Sequence, residues 1–325
     1  MKLFAPRYFK DFKCLADKCT DSCCIGWEID IDEERMSLYE SIEGELGETL
    51  RRGIYPGSEY ECAHFILTEG ERCPLLRPDG LCRLIAECGE ECLTEICREH
   101  PRYYNYYSDR VEVGLGLSCE AAAELLLTSP DSDLLEVCLG EREGDEDSPA
   151  AGPHLATRAE LTEVAFSAES AEEIFRKMAE IAACGRGLAR DAVPTLHIGD
   201  VKALLSELEG LSDGFLEGAV LGCDKALSGG ESFDRFLSKF MSGFGKRIIA
   251  AGLHRHYINS AVLGEQMGGA ALAYILALSV ALYLYGAEER LTEKSVIRAL
   301  VLCSKNIEYS VENTERIVEF GEETV

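Results

Sequence analysis

The cysteines are the residues of this sequence whose number and spacing could do chemistry. The tightest group, Cys14, Cys19, Cys23 and Cys24, follows a C-x4-C-x3-C-C pattern and places four thiols within eleven residues. The other cysteines thin out toward the C-terminus: Cys62, Cys73, Cys82, Cys88, Cys92, Cys97, Cys119 and Cys138, then Cys184, Cys223 and Cys303. Thiolates bind zinc ions and iron–sulfur clusters, so this density indicates a metal or redox site.

Three kinds of site compete for such an array: a disulfide framework, a structural zinc site and an iron–sulfur cluster. The segment from Met1 to Tyr8 has no apolar stretch typical of a signal peptide, which predicts a cytoplasmic protein. Cytoplasmic thiols stay reduced, so a metal site is favoured over disulfides. Adjacent cysteines such as Cys23 and Cys24 also rarely bridge each other, because the bond would strain the backbone.

Spacing favours an iron–sulfur cluster over zinc without fixing the metal. Zinc ribbons present C-x2-C pairs, and the closest pairs here, Cys19-x3-Cys23 and Cys88-x3-Cys92, are one residue wider. The histidine His100 lies three residues after Cys97. Metal identity therefore stays open between iron and zinc at this point.

Charge bears on the class of partner. The 325 residues include 32 basic and 59 acidic side chains, for a net charge of −27. Nucleic acid is a poor partner for such a chain, since phosphate binding needs positive potential. An acidic surface fits a basic protein segment or an amine substrate.

The pattern of hydrophobic residues predicts a mainly α protein. We expect a cysteine-rich, metal-stapled domain with short helices and little strand at 1–130, an acidic linker or loop at 131–155 and an all-helical domain at 156–325. Within the first domain the sequence predicts a helix over 81–97 and a strand over 111–117. A further helix should start after Ser118 and stop before Ser129-Pro130.

The second domain shows helical periodicity almost throughout. The predicted helices span 160–190, 198–211, 232–261, 268–285, 292–305 and 311–322. Residues 270–285 are apolar except for Ser279, but sixteen residues fall short of the ~20 that span a bilayer. We therefore expect a buried core helix and no membrane partner.

Common cofactor motifs are missing. Gly185-Arg186-Gly187 lacks the third glycine of a dinucleotide fingerprint, and no phosphate-binding loop or Gly-x-Ser-x-Gly elbow occurs. The sequence also lacks the strand–helix alternation of a doubly wound domain that could bind S-adenosylmethionine.

Four motifs in residues 14–123 together resemble a known family. They are Cys19-Thr-Asp-Ser-Cys23-Cys24-Ile-Gly26-Trp27-Glu-Ile-Asp30, Cys73-Pro74-Leu75-Leu76-Arg-Pro-Asp79-Gly80-Leu81-Cys82, Cys97-Arg-Glu-His100-Pro101-Arg102 and Leu117-Ser118-Cys119-Glu-Ala-Ala. In this combination they resemble the flagellin lysine-N-methylase (FliB) family, which is related to CxxCxxCC proteins described as zinc- or iron-chelating. The strings Phe244-Gly-Lys-Arg247 and Leu253-His-Arg255-His256-Tyr257 are similar in a looser way.

The resemblance implies methyl transfer from S-adenosylmethionine to lysine side chains of flagellin or another lysine-bearing protein, assisted by a 4Fe-4S cluster. It implies eight candidate metal ligands, which are Cys14, Cys19, Cys23, Cys24, Cys73, Cys82, Cys97 and Cys119. A 4Fe-4S cluster takes at most four, so either two sites exist or half of these thiols lie in a supporting shell. Gly26 stands where a radical enzyme of the C-x3-C-x2-C type would have its third cysteine, which argues against that class.

This chain departs from the family pattern at three points. The first motif is stretched, His100 replaces the usual tyrosine, and Glu120 replaces the usual proline after Cys119. These changes leave the cysteine framework intact and bear on the substrate.

Other residues near the motifs are weaker candidates. Arg102 could grip a carboxylate or offset cluster charge, and Trp27 could stack on a cofactor, so these two are the predicted cofactor-binding residues. Arg102 and Tyr103 are the catalytic candidates, although a salt bridge explains Arg102 equally well and packing is the more common role for a tyrosine such as Tyr103. A base must also take the proton of the lysine amine. The nearest acidic groups to the motifs are Glu28, Asp30, Glu99 and Tyr103.

Two further functions remain open from the sequence. The first is a non-enzymatic zinc- or iron-binding module, in which cysteines staple a small domain and the helices bind a protein partner. The second is a cluster-bearing electron carrier, which would leave the long helical half without a role.

Overall fold

The computed structural model describes residues 1–185, 196–210 and 214–323. The protein is mostly helical with a few short strands, which confirms the predicted fold class. Its elements, in chain order, are β1 Lys2–Pro6, α1 Glu33–Ser41, α2 Gly44–Gly53, β2 Ile54–Tyr55, β3 His64–Phe65, α3 Arg83–Cys88, α4 Glu95–Glu99, β4 Arg102–Tyr106, β5 Val111–Leu115, α5 Glu120–Thr128, β6 Glu136–Glu141, α6 Gly152–Ser167, α7 Ala171–Gly185, α8 Ile198–Glu207, α9 Phe215–Gly229, α10 Glu231–Phe240, α11 Lys246–Gly252, α12 Ile258–Val262, α13 Gln266–Gly286, α14 Glu293–Asn306 and α15 Val311–Glu323.

The chain divides into two compact units. One, here called the cysteine unit, consists of Lys13–Tyr103 and Cys119–Ala121. The other, the helical unit, consists of Met1–Phe12, Tyr104–Ser118 and Ala122–Val325. These limits differ from the predicted division at 130 and 156, because the first strand pairs with strands far along the chain.

The pairing of β1 brings the N-terminus into the helical unit. Strands of its sheet run in the order β4-β5-β1-β6, with β1 parallel to β5 and antiparallel to β6. Strand β6 lies inside the stretch predicted as a linker, so part of residues 131–155 is a structural strand. The predicted strand over 111–117 is β5, and the helix expected after Ser118 is α5.

An apolar core lies inside the cysteine unit. Helices α1 and α2 and the short β2–β3 pair enclose a core that includes Tyr39, Leu50, Phe65 and Leu75. The helix predicted over 81–97 is interrupted: α3 ends at Gly89, whose φ of 91° is the left-handed region that glycine tolerates. Thr94 is the N-cap of helix α4, and its hydroxyl accepts a hydrogen bond from the Cys97 amide at 3.3 Å.

Helix α13 is the centre of the helical unit. It packs against α7, α9, α11, α14 and α15. It has 21 residues, so it is longer than the apolar run and passes the length and hydropathy test for a membrane span. The most apolar window of the helix is 94% buried inside the protein, as predicted for a core helix.

Other helix limits follow local capping. The helix predicted over 160–190 is two helices, α6 and α7, because the Ser170 hydroxyl accepts from the Glu173 amide and starts α7. The one predicted over 232–261 continues through two π-helical segments, Met241–Gly245 and Leu253–Tyr257. The predicted ends at Arg190 and Leu211, and the end of the Gly185-Arg186-Gly187 string, lie outside the described residues.

Candidate functional site

All eight cysteines of the family motifs lie in the cysteine unit. Cys119 belongs to it although the residues before 119 and after 121 belong to the helical unit. The environments of the eight thiols sort them into two sets of four, which we call the inner and outer sets.

The inner set consists of Cys24, Cys73, Cys82 and Cys97. Cys73 is a buried member of the apolar core, and the other three pack against that core. The Cys73 amide donates to the Cys24 carbonyl at 2.9 Å, which fixes the first and second motifs side by side. A β-bridge between Leu76 and Cys82 closes the loop that carries the third thiol.

Electrostatics identifies the same four residues. Every pair within the inner set interacts, so ionising one thiol makes ionising the next harder. Burial is the largest cause, and it raises the pKa of Cys73 to about 12 and that of Cys97 to about 11. Burial thus opposes ionisation of Cys73, Cys82 and Cys97, and a bound metal ion would offset that cost by stabilising the thiolates.

The outer set consists of Cys14, Cys19, Cys23 and Cys119, and it is more open. Cys14 and Cys23 are exposed, whereas Cys19 and Cys119 are half-buried. Cys23 interacts with Cys14 and Cys119, and Cys19 interacts with Cys119. The two sets meet at the adjacent Cys23 and Cys24.

Glu120 holds the outer set together. One of its carboxylate oxygens accepts from the Thr20 amide at 2.7 Å and the Thr20 hydroxyl at 2.9 Å, and lies 3.6 Å from Cys19 Sγ. A residue next to Cys119 thereby fixes the loop that carries Cys19. In the sequence Glu120 is notable only as a departure from the family pattern. Its partner Thr20 lies 100 residues away, so no local pattern predicts their contact.

Cys24 is the thiol that ionises most easily. A hydrogen bond from Cys23 is the main cause that lowers its pKa, to about 7, with the Ser22 hydrogen bond and the Arg72 charge acting in the same direction. The same hydrogen bond raises the pKa of Cys23. Arg72 is a second residue near the thiols that the sequence analysis missed.

Two glycines allow the loops of the site to turn. Gly26 has a φ of 90°, and its amide donates to the Glu71 carbonyl at 3.0 Å. Gly80 has a φ of 81° in the turn that joins Arg77 to Leu81. Any residue with a Cβ would be strained at either position.

The structure places Trp27 and Arg102 beside the cysteine loops. The Trp27 indole N–H donates to the Cys23 carbonyl at 2.6 Å, and its ring lies 5.8 Å from that of His100. Arg102 Nη1 lies 3.5 Å from the carbonyls of Arg98 and Glu99, at the end of α4. Both side chains therefore brace segments that carry cysteines, and their predicted role at a cofactor remains a prediction.

The base candidates are spread around the same unit. Glu28 is exposed, with Oε2 3.4 Å from His64 Nε2, and Asp30 is exposed on the strand-like segment that bridges to His64. Glu99 and Tyr103 are half-buried. Nothing in these positions singles out one of the four as the base.

Three cysteines of the same unit lie outside the two sets. Cys62 is exposed, and Cys88 and Cys92 form a separate hydrogen-bonded pair. Near Cys62, ligand atoms of Glu28, Glu61 and His64 lie within 4.8 Å of one another, with both carboxylates exposed. The inner and outer sets are thus distinguished by environment as well as by the family motifs.

Comparisons with known proteins agree with the motif resemblance. The chain is 26% identical over 141 residues to the flagellar biosynthetic protein FliU of Salmonella muenchen, which covers 42% of this chain and 81% of that protein. It is 26% identical over 131 residues to the lysine-N-methylases of Salmonella choleraesuis and Salmonella typhimurium, covering 39% of this chain. The match spans only 33% of the length of those two proteins. No family model and no solved structure matches this chain. These similarities support a relationship to flagellin-methylase-like proteins.

Proposed function

We propose that this protein is a protein-lysine N-methyltransferase that uses S-adenosylmethionine, a 4Fe-4S cluster and a flagellin-like acceptor in the cytoplasm. The observation that carries the proposal is the gathering of all eight motif cysteines into one unit, in a chain similar to proteins named lysine-N-methylase. The acidic net charge of −27 suits a lysine-bearing protein partner.

The spacing of the cysteine sulfurs supports the choice of an iron–sulfur cluster over a single zinc ion. Tetrahedral zinc with Zn–S bonds of 2.3 Å requires sulfurs only about 3.8 Å apart. Among the residues that the structure describes, no three cysteine sulfurs lie within 4.8 Å of one another. In a four-iron cluster each cysteine binds a different iron, which keeps the four sulfurs farther apart.

The residues around the inner set suit a negatively charged centre. Arg72 lowers the pKa of Cys24, so it favours thiolate over thiol. Burial of Cys73 and half-burial of Cys82 and Cys97 exclude much of the solvent that would otherwise hydrolyse or oxidise a cluster. Cys24, Cys73, Cys82 and Cys97 are therefore the residues that would hold it.

When bound, S-adenosylmethionine supplies an electrophilic methyl group. The protein must present the lysine amine without its proton, because an ammonium has no lone pair. A base must therefore accept the ammonium proton before the amine can attack the methyl group. Exposed Glu28 and Asp30 and half-buried Glu99 are placed in the unit to do so.

The experiment that tests the proposal combines metal analysis with methyl transfer. Protein purified without oxygen is assayed for iron, sulfide and zinc, and then incubated with methyl-labelled S-adenosylmethionine and purified flagellin. We expect iron, sulfide and label on flagellin lysines. C82S should lose iron and transfer, whereas C138S, whose exposed thiol lies outside both sets, should retain both. Zinc without label transfer would instead establish the non-enzymatic module.

A further inference from the structure

Outside the two sets of cysteines, one histidine of the cysteine unit lies between two carboxylates. Ligand atoms of Glu28, Glu61 and His64, which we call the His64 group, lie within 4.8 Å of one another. Imidazole nitrogens and carboxylate oxygens are ligands that divalent transition-metal ions take in proteins. The placement of His64 distinguishes this group from an ordinary acidic surface.

The backbone brings the group together on one face of a small ladder of strands. Strand β3 pairs with β2 on one side, and on the other side a β-bridge joins His64 to Asp30. Side chains alternate between the two faces of such a ladder, so Ile29 and Phe65 enter the apolar core. Glu28 and His64 lie on the opposite face, at diagonal positions that long side chains can bridge.

His64 is buried although it lies on this outer face. The residue is only 8% exposed, and its ring lies 4.9 Å from that of Tyr55. Its Nδ1 atom lies 3.1 Å from the Cys62 carbonyl. Because a carbonyl can only accept, Nδ1 carries the hydrogen, and the neutral ring keeps its lone pair on Nε2. Metal-binding histidines commonly have this arrangement, in which the other ring nitrogen donates to a backbone carbonyl.

The Nε2 atom faces another acceptor. It lies 3.4 Å from Glu28 Oε2, and among the described residues none donates a hydrogen bond to it. Two acceptors attract each other only through a proton or a cation between them. In a tetrahedral zinc site, with Zn–N and Zn–O bonds of about 2.0–2.2 Å, two ligand atoms lie about 3.3–3.5 Å apart. The observed separation therefore matches the spacing that zinc requires.

The charges of the group are not balanced by basic side chains. In the part of the chain that the structure describes, neither Glu28 nor Glu61 forms an ion pair with an arginine or a lysine. Both side chains are 54% exposed, so each can turn toward an ion without repacking the core. Two carboxylates beside a neutral imidazole carry a charge of −2, which a divalent cation neutralises.

The helical unit contains a group of the same composition that does not meet these conditions. Ligand atoms of Glu112, Glu136 and His254 also lie within 4.8 Å of one another. There, however, Arg110 and Arg158 bind both carboxylates at 2.5–2.9 Å. The two guanidinium charges balance this buried ion network and repel a cation. The His64 group is therefore the better metal site of the two.

We propose that Glu28, Glu61 and Nε2 of His64 bind a zinc ion at a site separate from the cysteine sulfurs. Three protein ligands leave a fourth position for water, as in zinc sites that are open to solvent. The ion would tie the loop at 56–63, which joins β2 to β3, to the segment before α1. This site does not rest on the proposed cluster, and an ion held there would remove Glu28 from the candidate bases.

The test removes the two carboxylates without disturbing the core. Glu28 and Glu61 are both exposed, so E28Q/E61Q should fold normally. Glu59 and Glu69 are exposed in the same unit and lie outside the His64 group, so E59Q/E69Q is a control with the same change of net charge.

A second variant removes the imidazole. In H64N the asparagine amide can still donate to the Cys62 carbonyl, but the variant has no counterpart of Nε2. Each full-length protein is purified without oxygen and titrated with zinc in a calorimeter. Bound zinc is then counted by elemental analysis after gel filtration.

We expect the unmodified protein and E59Q/E69Q to bind one zinc ion more than E28Q/E61Q and H64N. Loss of a supporting partner alone weakens metal binding about 10–100-fold, so removing two ligands should weaken binding of this ion by about 100-fold or more. Equal zinc binding by the unmodified protein and E28Q/E61Q would overturn the proposal, because Nε2 would then share a proton with Glu28 and any zinc would belong to the cysteines. An equal loss in E59Q/E69Q would also overturn it, since the effect would then come from net charge.

Discussion

Replacing Glu112 by glutamine tests how much the buried ion network contributes to stability. The Glu112 side chain is 0% exposed and contacts Arg158 at 2.7 and 2.9 Å and Arg110 at 2.9 Å. An amide keeps the shape but removes the charge, which leaves two buried guanidinium groups with only Glu136 to share. Breaking a buried ion pair costs about 3–5 kcal/mol of stability. Because Glu136 still compensates part of the arginine charge, we expect E112Q to cost about 3 kcal/mol.

The expected shift can be measured by thermal unfolding. For a domain of about 150–250 residues, each kcal/mol lowers Tm by about 2–4 °C, so E112Q should lower it by roughly 6–12 °C. Glu124, exposed on α5, supplies the control E124Q, which should change Tm little. The double variant E112Q/R158M should recover part of the loss, because it removes a stranded charge. A Tm of E112Q within about 2 °C of the unmodified protein would refute the reasoning.

Three other predictions follow from the helical core and the cysteine unit. Gly222 of α9 abuts the Leu282 carbonyl of α13, so G222V should lower the free energy of unfolding by about 1–3 kcal/mol or more in urea titrations. Gly199 faces open space, so the control variant G199A should leave the free energy of unfolding unchanged. Equal effects of the two variants would contradict the close packing of α9 on α13. Burial opposes the charge of Glu308, but Arg255 and His256 hold its pKa at about 2, below the ordinary 4.5. Its stabilisation is therefore complete above pH 4.5 and lost as pH falls toward 2, and E308Q should flatten that part of the stability curve; an unchanged slope would count against it. Trp27 is the single tryptophan, and its indole N–H donates to the Cys23 carbonyl, so its fluorescence should change when a chelator removes metal from the proposed centre; a constant signal would argue against a centre beside Cys23.

Local patterns predicted most of the helices. A continuous apolar run located α13, and Thr292 and Ser295 form a capping box at the start of α14. Periodicity could not predict where long helices break, because a single Ser170 cap or Gly89 turn decides that point. Strand β1 escaped prediction since its partners lie more than a hundred residues away.

The cysteines of the site were predictable, but their sorting was not. Spacing along the chain groups Cys14, Cys19, Cys23 and Cys24 as one cluster. The fold instead separates Cys24 from the other three, because its side chain packs on the apolar core, whereas Cys14 and Cys23 are exposed and Cys19 is half-buried. Burial is a property of tertiary packing, and no local spacing rule contains it.

The buried ion network of Glu112 and Arg158 was also not predicted from the sequence, although the sequence contains a signal for it. Arg158 lies on the same face of α6 as Leu155, Leu161 and Ala165, so helical periodicity points a charge toward the core. Glu112 likewise interrupts an otherwise apolar strand, Val111–Leu115. Because buried charges are normally paired, an arginine and a glutamate at buried positions of two predicted elements could have been predicted to contact each other.

The adjacent pair Cys23-Cys24 explains how one short motif can serve two sets of thiols. Cys24 packs against the core with Cys73, whereas exposed Cys23 interacts with Cys14 and Cys119. Because a 4Fe-4S cluster takes at most four cysteines, the inner set alone satisfies one cluster. Glu120 fixes the loop that carries Cys19 of the outer set, and the hydrogen bond between Cys23 and Cys24 couples ionisation of a thiol in the outer set to ionisation of a thiol in the inner set.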